Sequence, residues 1–181
     1  MVRKANIGTR HWREGWFHID IDPTPLFDDR GSWHQVDLVC DAADIPIPDG
    51  AFDEIFSSEV IEHFSWRQTG AVIREWARLL APGGTMRVEA PDFVACCQQV
   101  LDTDSLEGDL AMQQLFFAEQ LTPHDYHYAG LTHRTLPHYF EQAGLRVVGI
   151  GRGWECGWLR VDGVKPLVGA EGPDDDRIVV A

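Results

Sequence analysis

Basic residues are scarce: 15 Lys and Arg stand against 29 Asp and Glu, a formal charge of −14 over 181 residues. Affinity for nucleic acid rests largely on Lys and Arg neutralising phosphates, so this balance argues against a nucleic-acid partner. It argues against an anionic membrane surface for the same reason. No apolar run approaches the ~18–20 residues that a membrane span requires. Residues 1–6 hold two basic side chains but no apolar stretch suited to a secretory leader. Cysteine is sparse and unpatterned: Cys40, Cys96, Cys97 and Cys156 form no CxxC, and the adjacent pair is a poor start for a disulfide framework. Reduced, mostly buried thiols and a cytoplasmic setting are therefore expected. Repeats are absent, and the acidic run at 174–176 reads as a solvated turn.

What is present suits one globular domain spanning 1–181. Apolar residues make up 44% and charged residues 24%, and seven Trp with nine Phe supply bulk for a core. Short strand-like runs fall at 4–7, 16–21, 36–40 and 52–57, bounded by Gly, Pro and Asp. Between 66 and 80 the period changes: Val72, Ile73, Trp76, Leu79 and Leu80 are spaced three and four apart, one stripe of an amphipathic helix. Ala81-Pro82-Gly83-Gly84 stops that helix. The pattern then predicts a strand at 85–90, helices at 94–101 and 110–121, a loop at 122–128, a helix at 135–143 and a strand at 145–150. The glycine-rich remainder reads as a long loop with a short final strand at 177–181. Strands alternating with helices imply a parallel, helix-covered sheet, and ligands in such sheets bind at the carboxyl ends of the strands.

Those ends hold small or acidic residues: Gly8 after the first strand, Asp20 and Asp22 after the second, Asp41-Ala42 after the third, and Ser57-Ser58-Glu59 after the fourth. A carboxylate after the second strand can hold both ribose hydroxyls, and a glycine after the first lets backbone approach a ligand. The set suits a nucleoside.

The stretch DAADIPIPDGAFDEIFSSEVIEH (41–63), followed by REWARLLAPGGTMRVEAPD (74–92), resembles the central block of class I S-adenosylmethionine-dependent methyltransferases. The likeness covers roughly 6–92 and, more loosely, 132–150. It implies an α/β Rossmann-like three-layer sandwich, with a mostly parallel sheet and an antiparallel C-terminal strand. It also implies S-adenosylmethionine as cofactor and a small-molecule acceptor, methylated at oxygen in a biosynthetic pathway. By the same resemblance Asp20 takes the ribose, with Asp22 as the alternative, Asp41 and Ala42 face the adenine, Gly8 lines the methionine moiety, and Ser57 and Ser58 close over it. One departure stands out. The family's GxGxG loop and first helix do not fit between Ile7 and Phe17, because a parallel crossover needs about a dozen residues. That crossover helix is expected to be missing, with Arg10 or Arg13 available as a charge partner and Trp12, Trp16 and Trp33 as core in its place. The alternative function is a non-catalytic methyltransferase-like domain that has lost the cofactor and serves as a binding or structural protein.

Glu59, Glu62 and His63 have the spacing of one helical face. Three readings stay open. His63 is a general base for a hydroxyl acceptor; or the three hold a divalent metal with His124, His127 or His133, as in other methyltransferases with an ExxEH segment; or they cap and pack the following helix. His63 as base, with no metal, is the assignment taken forward. The 123–128 loop holds four aromatic or imidazole rings that suit a substrate cover or a seal on the sheet. Trp154 and Trp158 hint at a homodimer face.

Overall fold

The computed structural model describes residues 3–8, 11–103, 105–153 and 157–169. Its strands are β1 (Lys4–Ile7), β2 (Phe17–Asp20), β3 (Leu26–Phe27), β4 (Trp33–His34), β5 (Leu38–Val39), β6 (Phe52–Ser58), β7 (Leu80–Pro91), β8 (Arg146–Gly153) and β9 (Trp158–Val164). Helix α1 (Thr69–Leu79) precedes β7, and α2 (Phe93–Asp102), α3 (Leu106–Phe117) and α4 (Thr135–Gln142) lie between β7 and β8. A 3₁₀ turn, Ile61–His63, follows β6.

Seven strands form one sheet in the order β5-β2-β1-β6-β7-β9-β8, parallel except for β9, which runs antiparallel to both neighbours. The antiparallel strand expected near the C-terminus is thus β9, inside a segment that composition marked as loop. The strand expected at 177–181 lies outside the described residues. Along β9, Leu159, Val161 and Gly163 are buried and alternate with the half-buried Arg160 and Asp162. Glycine masks that period, and packing requires it: a Cβ on Gly163 would lie 2.6 Å from the Phe140 ring.

One face of the sheet is apolar. Ala5, Ile7, Ile19, Ile55, Met86, Val88, Leu159 and Val161 join Ile73, Trp76, Leu136 and Phe140 of α1 and α4 in a single buried cluster. The opposite face pairs charges in register: Lys4 with Glu54 at 2.7 Å and Arg87 with Asp162 at 2.6 Å. No helix occurs among the described residues of the β1–β2, β2–β5 or β5–β6 connections. The Rossmann-like α/β class and the missing first crossover helix agree with expectation, and over β1, β2 and β6 side chains cover the sheet face opposite the apolar one. Arg13 covers Phe56 at 3.8 Å, and Lys4 lies 5.1 Å from the Trp16 ring. Trp12 stacks on His34 at 3.7 Å and faces His18 at 6.0 Å. The expected tryptophan core does not form: Trp12 and Trp16 are half-buried outside the apolar cluster, and Trp33 is 67% exposed.

The Pro82-Gly83-Gly84 break also differs from expectation. Strand β7 begins directly after α1, and the β6 pairing jumps from Phe52↔Leu80 to Glu54↔Thr85, so residues 81–84 form a bulge within the strand. Lys165 Nζ donates to the carbonyls of Ala77 (2.9 Å) and Leu80 (2.7 Å), satisfying the helix end that the bulge leaves open. Helix α3 starts earlier than its periodicity suggested because Ser105 caps it, its Oγ accepting from Gly108 N at 3.1 Å.

Candidate active site

The switch point, where strand order reverses, lies between β1 and β6. Gly8 turns there at φ +70°, its N–H donating to Ile19 O at 2.7 Å; an added Cβ would lie 2.5 Å from Val60 Cγ2. Glycine, at this positive φ, lets β1 end against Val60, the second residue after β6. Asp20 ends β2, its Oδ1 accepting from Asp22 N at 2.9 Å. Asp22 is exposed and accepts from both the N–H and the hydroxyl of Thr24, a turn-building task. Asp41 is exposed and accepts from Ala43 N at 2.8 Å. The buried Trp76 indole donates to Ala42 O at 2.8 Å, and Arg78 holds the same loop through the carbonyls of Ile45 (3.0 Å) and Ile47 (2.7 Å). Ser57 points inward: fully buried, its hydroxyl donates to Ile7 O at 3.0 Å and braces β1 against β6. Ser58, half-buried, stands one residue nearer the rim. Gly8, Asp20, Asp41, Ala42 and Ser58 thus share one edge, while the Ser57 side chain belongs to the strand pair.

Beyond the rim the chain kinks. Glu59 takes φ +57°, uncommon for a side-chain-bearing residue, and Ile61–His63 continues as a 3₁₀ turn rather than an α-helix. The expected helical face is therefore not what unites Glu59, Glu62 and His63; the tight turn sets the Glu59 and Glu62 carboxyls against each other instead. Glu62 is 1% exposed, and neither of its carboxyl oxygens has a hydrogen-bond partner among the described residues. Burial, reinforced by the Glu59 charge, holds its pKa well above the usual glutamate range.

Two histidines close on it. His63 Nδ1 is 3.1 Å from Tyr126 O, and His127 Nδ1 is 2.9 Å from Leu115 O. Because a carbonyl oxygen only accepts, both contacts place a ring proton on Nδ1. The rings lie 4.9 Å apart at 63°, and His127 Nε2 is 3.9 Å from Glu62 Oε1. Donor atoms of Glu62, His63 and His127 all fall within 4.8 Å of one another. Burial lowers the His127 pKa, keeping the imidazole neutral. The 123–128 loop is tied down by Tyr128 N and Ala129 N, which donate to Glu62 O at 2.8 and 3.2 Å. Of the three histidines considered from sequence, His127 is the one brought in; His124 is exposed, and neither it nor His133 joins the cluster. A cavity of about 180 Å³ opens beside the cluster, lined by Glu62 and His127 and by residues of α2, α3 and the 128–131 segment.

Residues 8–88 match the family profile described as a methyltransferase domain. That profile match and the sheet order agree with the resemblance to class I S-adenosylmethionine-dependent methyltransferases. Over 52 residues it is 44% identical to a probable tRNA methyltransferase 9B of Mus musculus, covering 28% of this chain and 12% of that protein. Over 77 residues it is 32% identical to a probable S-adenosylmethionine-dependent methyltransferase of Mycobacterium tuberculosis, covering 42% and 27%. The match thus spans about an eighth to a quarter of these relatives. Among solved structures, a methyltransferase of Methanosarcina mazei superposes with a TM-score of 0.62 over 92% of this chain and 93% of that one, at 12% identity, a likeness of fold.

Sequence reasoning missed Asp92. It caps α2, its Oδ1 accepting from Val94 N at 3.1 Å, and its Oδ2 is 2.6 Å from Arg152 Nε of β8. An aspartate directly before a helical period is the local signal for such a cap; the arginine partner, 60 residues away, has none. The cavity walls had no signal either. Among the described residues, no helix is long and apolar enough to cross a membrane.

Proposed function

We propose that this domain transfers the methyl group of S-adenosylmethionine to a hydroxyl of a small molecule. The observation that carries this reading is the β5-β2-β1-β6-β7-β9-β8 order, with small and acidic residues at the carboxyl ends of β1, β2, β5 and β6 around the switch point. The residues present fit the cofactor: Gly8 keeps open the backbone turn that a Cβ would fill, Asp20 suits the ribose hydroxyls, and Asp41 and the Ala42 backbone suit the adenine. When bound, S-adenosylmethionine supplies a methyl group already activated by its sulfonium charge. The chain then has only to align the hydroxyl, exclude water and accept a proton. His63, oriented by its Nδ1 contact to Tyr126 O at 3.1 Å, is the side chain assigned to that acceptance. A small molecule is favoured over nucleic acid by the net charge of −14, although one relative is named as a probable tRNA methyltransferase.

A second reading of the same cluster is favoured by the unpartnered Glu62 carboxyl. Glu62, His63 and His127 would hold a divalent cation, with Glu59 beside them, and the cation would stabilise the deprotonated hydroxyl. Both histidines are oriented by carbonyls through the far nitrogen, the arrangement that metal ligands favour. Chelator separates the two: activity lost in EDTA and restored by a divalent ion supports the cation, and insensitivity supports His63 acting alone.

Thermal denaturation with S-adenosylhomocysteine tests the main reading. Ligand at 100 times its Kd should stabilise the domain by about 2.7 kcal/mol. No shift at millimolar ligand leaves the non-catalytic binding domain as the better account.

A further inference from the structure

The cavity of about 180 Å³ beside Glu62 is narrow and has an apolar wall. Phe93, Leu115, Phe116 and Leu131 line it, with Phe93 and Phe116 in an edge-to-face pair at 5.4 Å. A dry apolar cavity of about 150 Å³ holds benzene, so this volume admits one six-membered ring with small substituents. The polar end is Glu62, buried and with neither carboxyl oxygen hydrogen-bonded, beside His127, whose Nε2 is 3.9 Å away. A buried polar group without a partner costs free energy until a ligand supplies one. Among the described residues, no Lys or Arg lines the cavity. A carboxylate or phosphate would therefore meet acidic groups and no counter-charge, whereas a hydroxyl can both donate to and accept from this pair. The mouth is unusually apolar for a surface: Phe93, Phe117 and Tyr128 are 42%, 53% and 53% exposed, and α3 above it contributes no fully buried residue.

We infer that this cavity takes an uncharged, phenol-like acceptor of one ring, with the ring between Phe93, Leu115, Phe116 and Leu131 and its hydroxyl against Glu62 and His127. The identification of this ligand as acceptor rests on the methyltransferase reading; the chemistry of the pocket does not. As acceptor, the ring hydroxyl gives up its proton to the histidine cluster and forms an O–CH₃ bond as the S–CH₃ bond breaks. The sulfonium electron pair stays on sulfur as a neutral thioether.

The test is calorimetric titration of the full chain with 4-methylphenol and, separately, with its anionic analogue 4-methylbenzoate and with S-adenosylhomocysteine. Saturable 1:1 binding of 4-methylphenol at least tenfold tighter than 4-methylbenzoate is expected. Leu115→Trp, which fills the cavity from α3, should weaken 4-methylphenol at least tenfold and leave S-adenosylhomocysteine affinity within twofold. Glu62→Leu, the second variant, should abolish the preference for 4-methylphenol over toluene. The proposal is overturned if 4-methylbenzoate binds as tightly, if 4-methylphenol shows no saturable binding at millimolar concentration, or if both variants bind it as the parent does. Binding of 4-methylphenol without S-adenosylhomocysteine binding would sink the methyltransferase reading and spare the pocket. The reverse result would sink the pocket alone.

Discussion

Two sets of carboxyl groups gather along the same edge of the sheet, and the fold treats them oppositely. Asp20, Asp22 and Asp41 accept N–H groups from residues two further along, and the last two are exposed to water. Holding them costs the fold little. Glu62 is buried beside Glu59 with its carboxyl oxygens unpartnered, and burial is the main reason its pKa is raised. A turn aspartate explains itself through its own backbone. A buried, unpaired glutamate has no such explanation and points to something the chain binds. Acidity on its own therefore identifies the rim, and only burial identifies the chemically demanding position.

Four measurements would break or sharpen this contrast. Asp92 is as buried as Glu62 but is paired with the half-buried Arg152 at 2.6 Å, so Asp92→Ala removes that ion pair and uncaps α2. Urea denaturation should show a loss of about 3–5 kcal/mol; a loss below 1 kcal/mol would mean the pair contributes little. Asp20→Ala should weaken S-adenosylhomocysteine by about 1.5–3 kcal/mol, about 10–100-fold by calorimetry, with unfolding free energy within about 1 kcal/mol of the parent. Unchanged affinity would remove Asp20 from the cofactor rim.

Glu62→Leu, measured in EDTA, should instead raise stability by about 1–3 kcal/mol, because it removes an unsatisfied buried group. A destabilised variant would show that the carboxyl has a structural partner after all. The smallest effect is titration of His18, whose pKa is lowered mainly by burial, against Asp37. His18 Nε2 accepts from Arg13 N at 2.9 Å and helps seat the segment that replaces the missing helix. With the folded pKa below the unfolded value near 6.5, the unfolded chain takes up the proton first. Stability from His18 is thus present above about pH 6.5 and lost as pH falls through the folded pKa, at no more than about 1.4 kcal/mol per pH unit. The difference in unfolding free energy between the parent and His18→Gln should shrink from pH 7.5 to 5; a constant difference would sink the idea.

Much of the fold was legible because it is periodic. Val72, Ile73, Trp76 and Leu79 mark α1 at helical spacing, and all four are buried. The ends of β1, β2 and β6 lie within a residue or two of their turn signals. Strand β9 escaped notice because Gly163 dilutes its alternation, although the Phe140 ring is what demands glycine there. Ser57 looked like its neighbour Ser58, yet the period of two turns its side chain to the interior. His127 could not be told from His124 or His133 by spacing, since a carbonyl on α3 and the 3₁₀ turn select it.

Composition and local pattern alone determined the α/β class, the missing first crossover helix and the row of small and acidic residues at the strand ends, because each depends on neighbours within a few positions. Only the tertiary structure decided that one face of the sheet would carry ion pairs in place of helices, that Glu62 would be buried without a partner, and that His127 would join it. Burial and side-chain convergence arise from segments 50 or more residues apart, as Lys4 and Glu54 are, and no local pattern records which of them will meet.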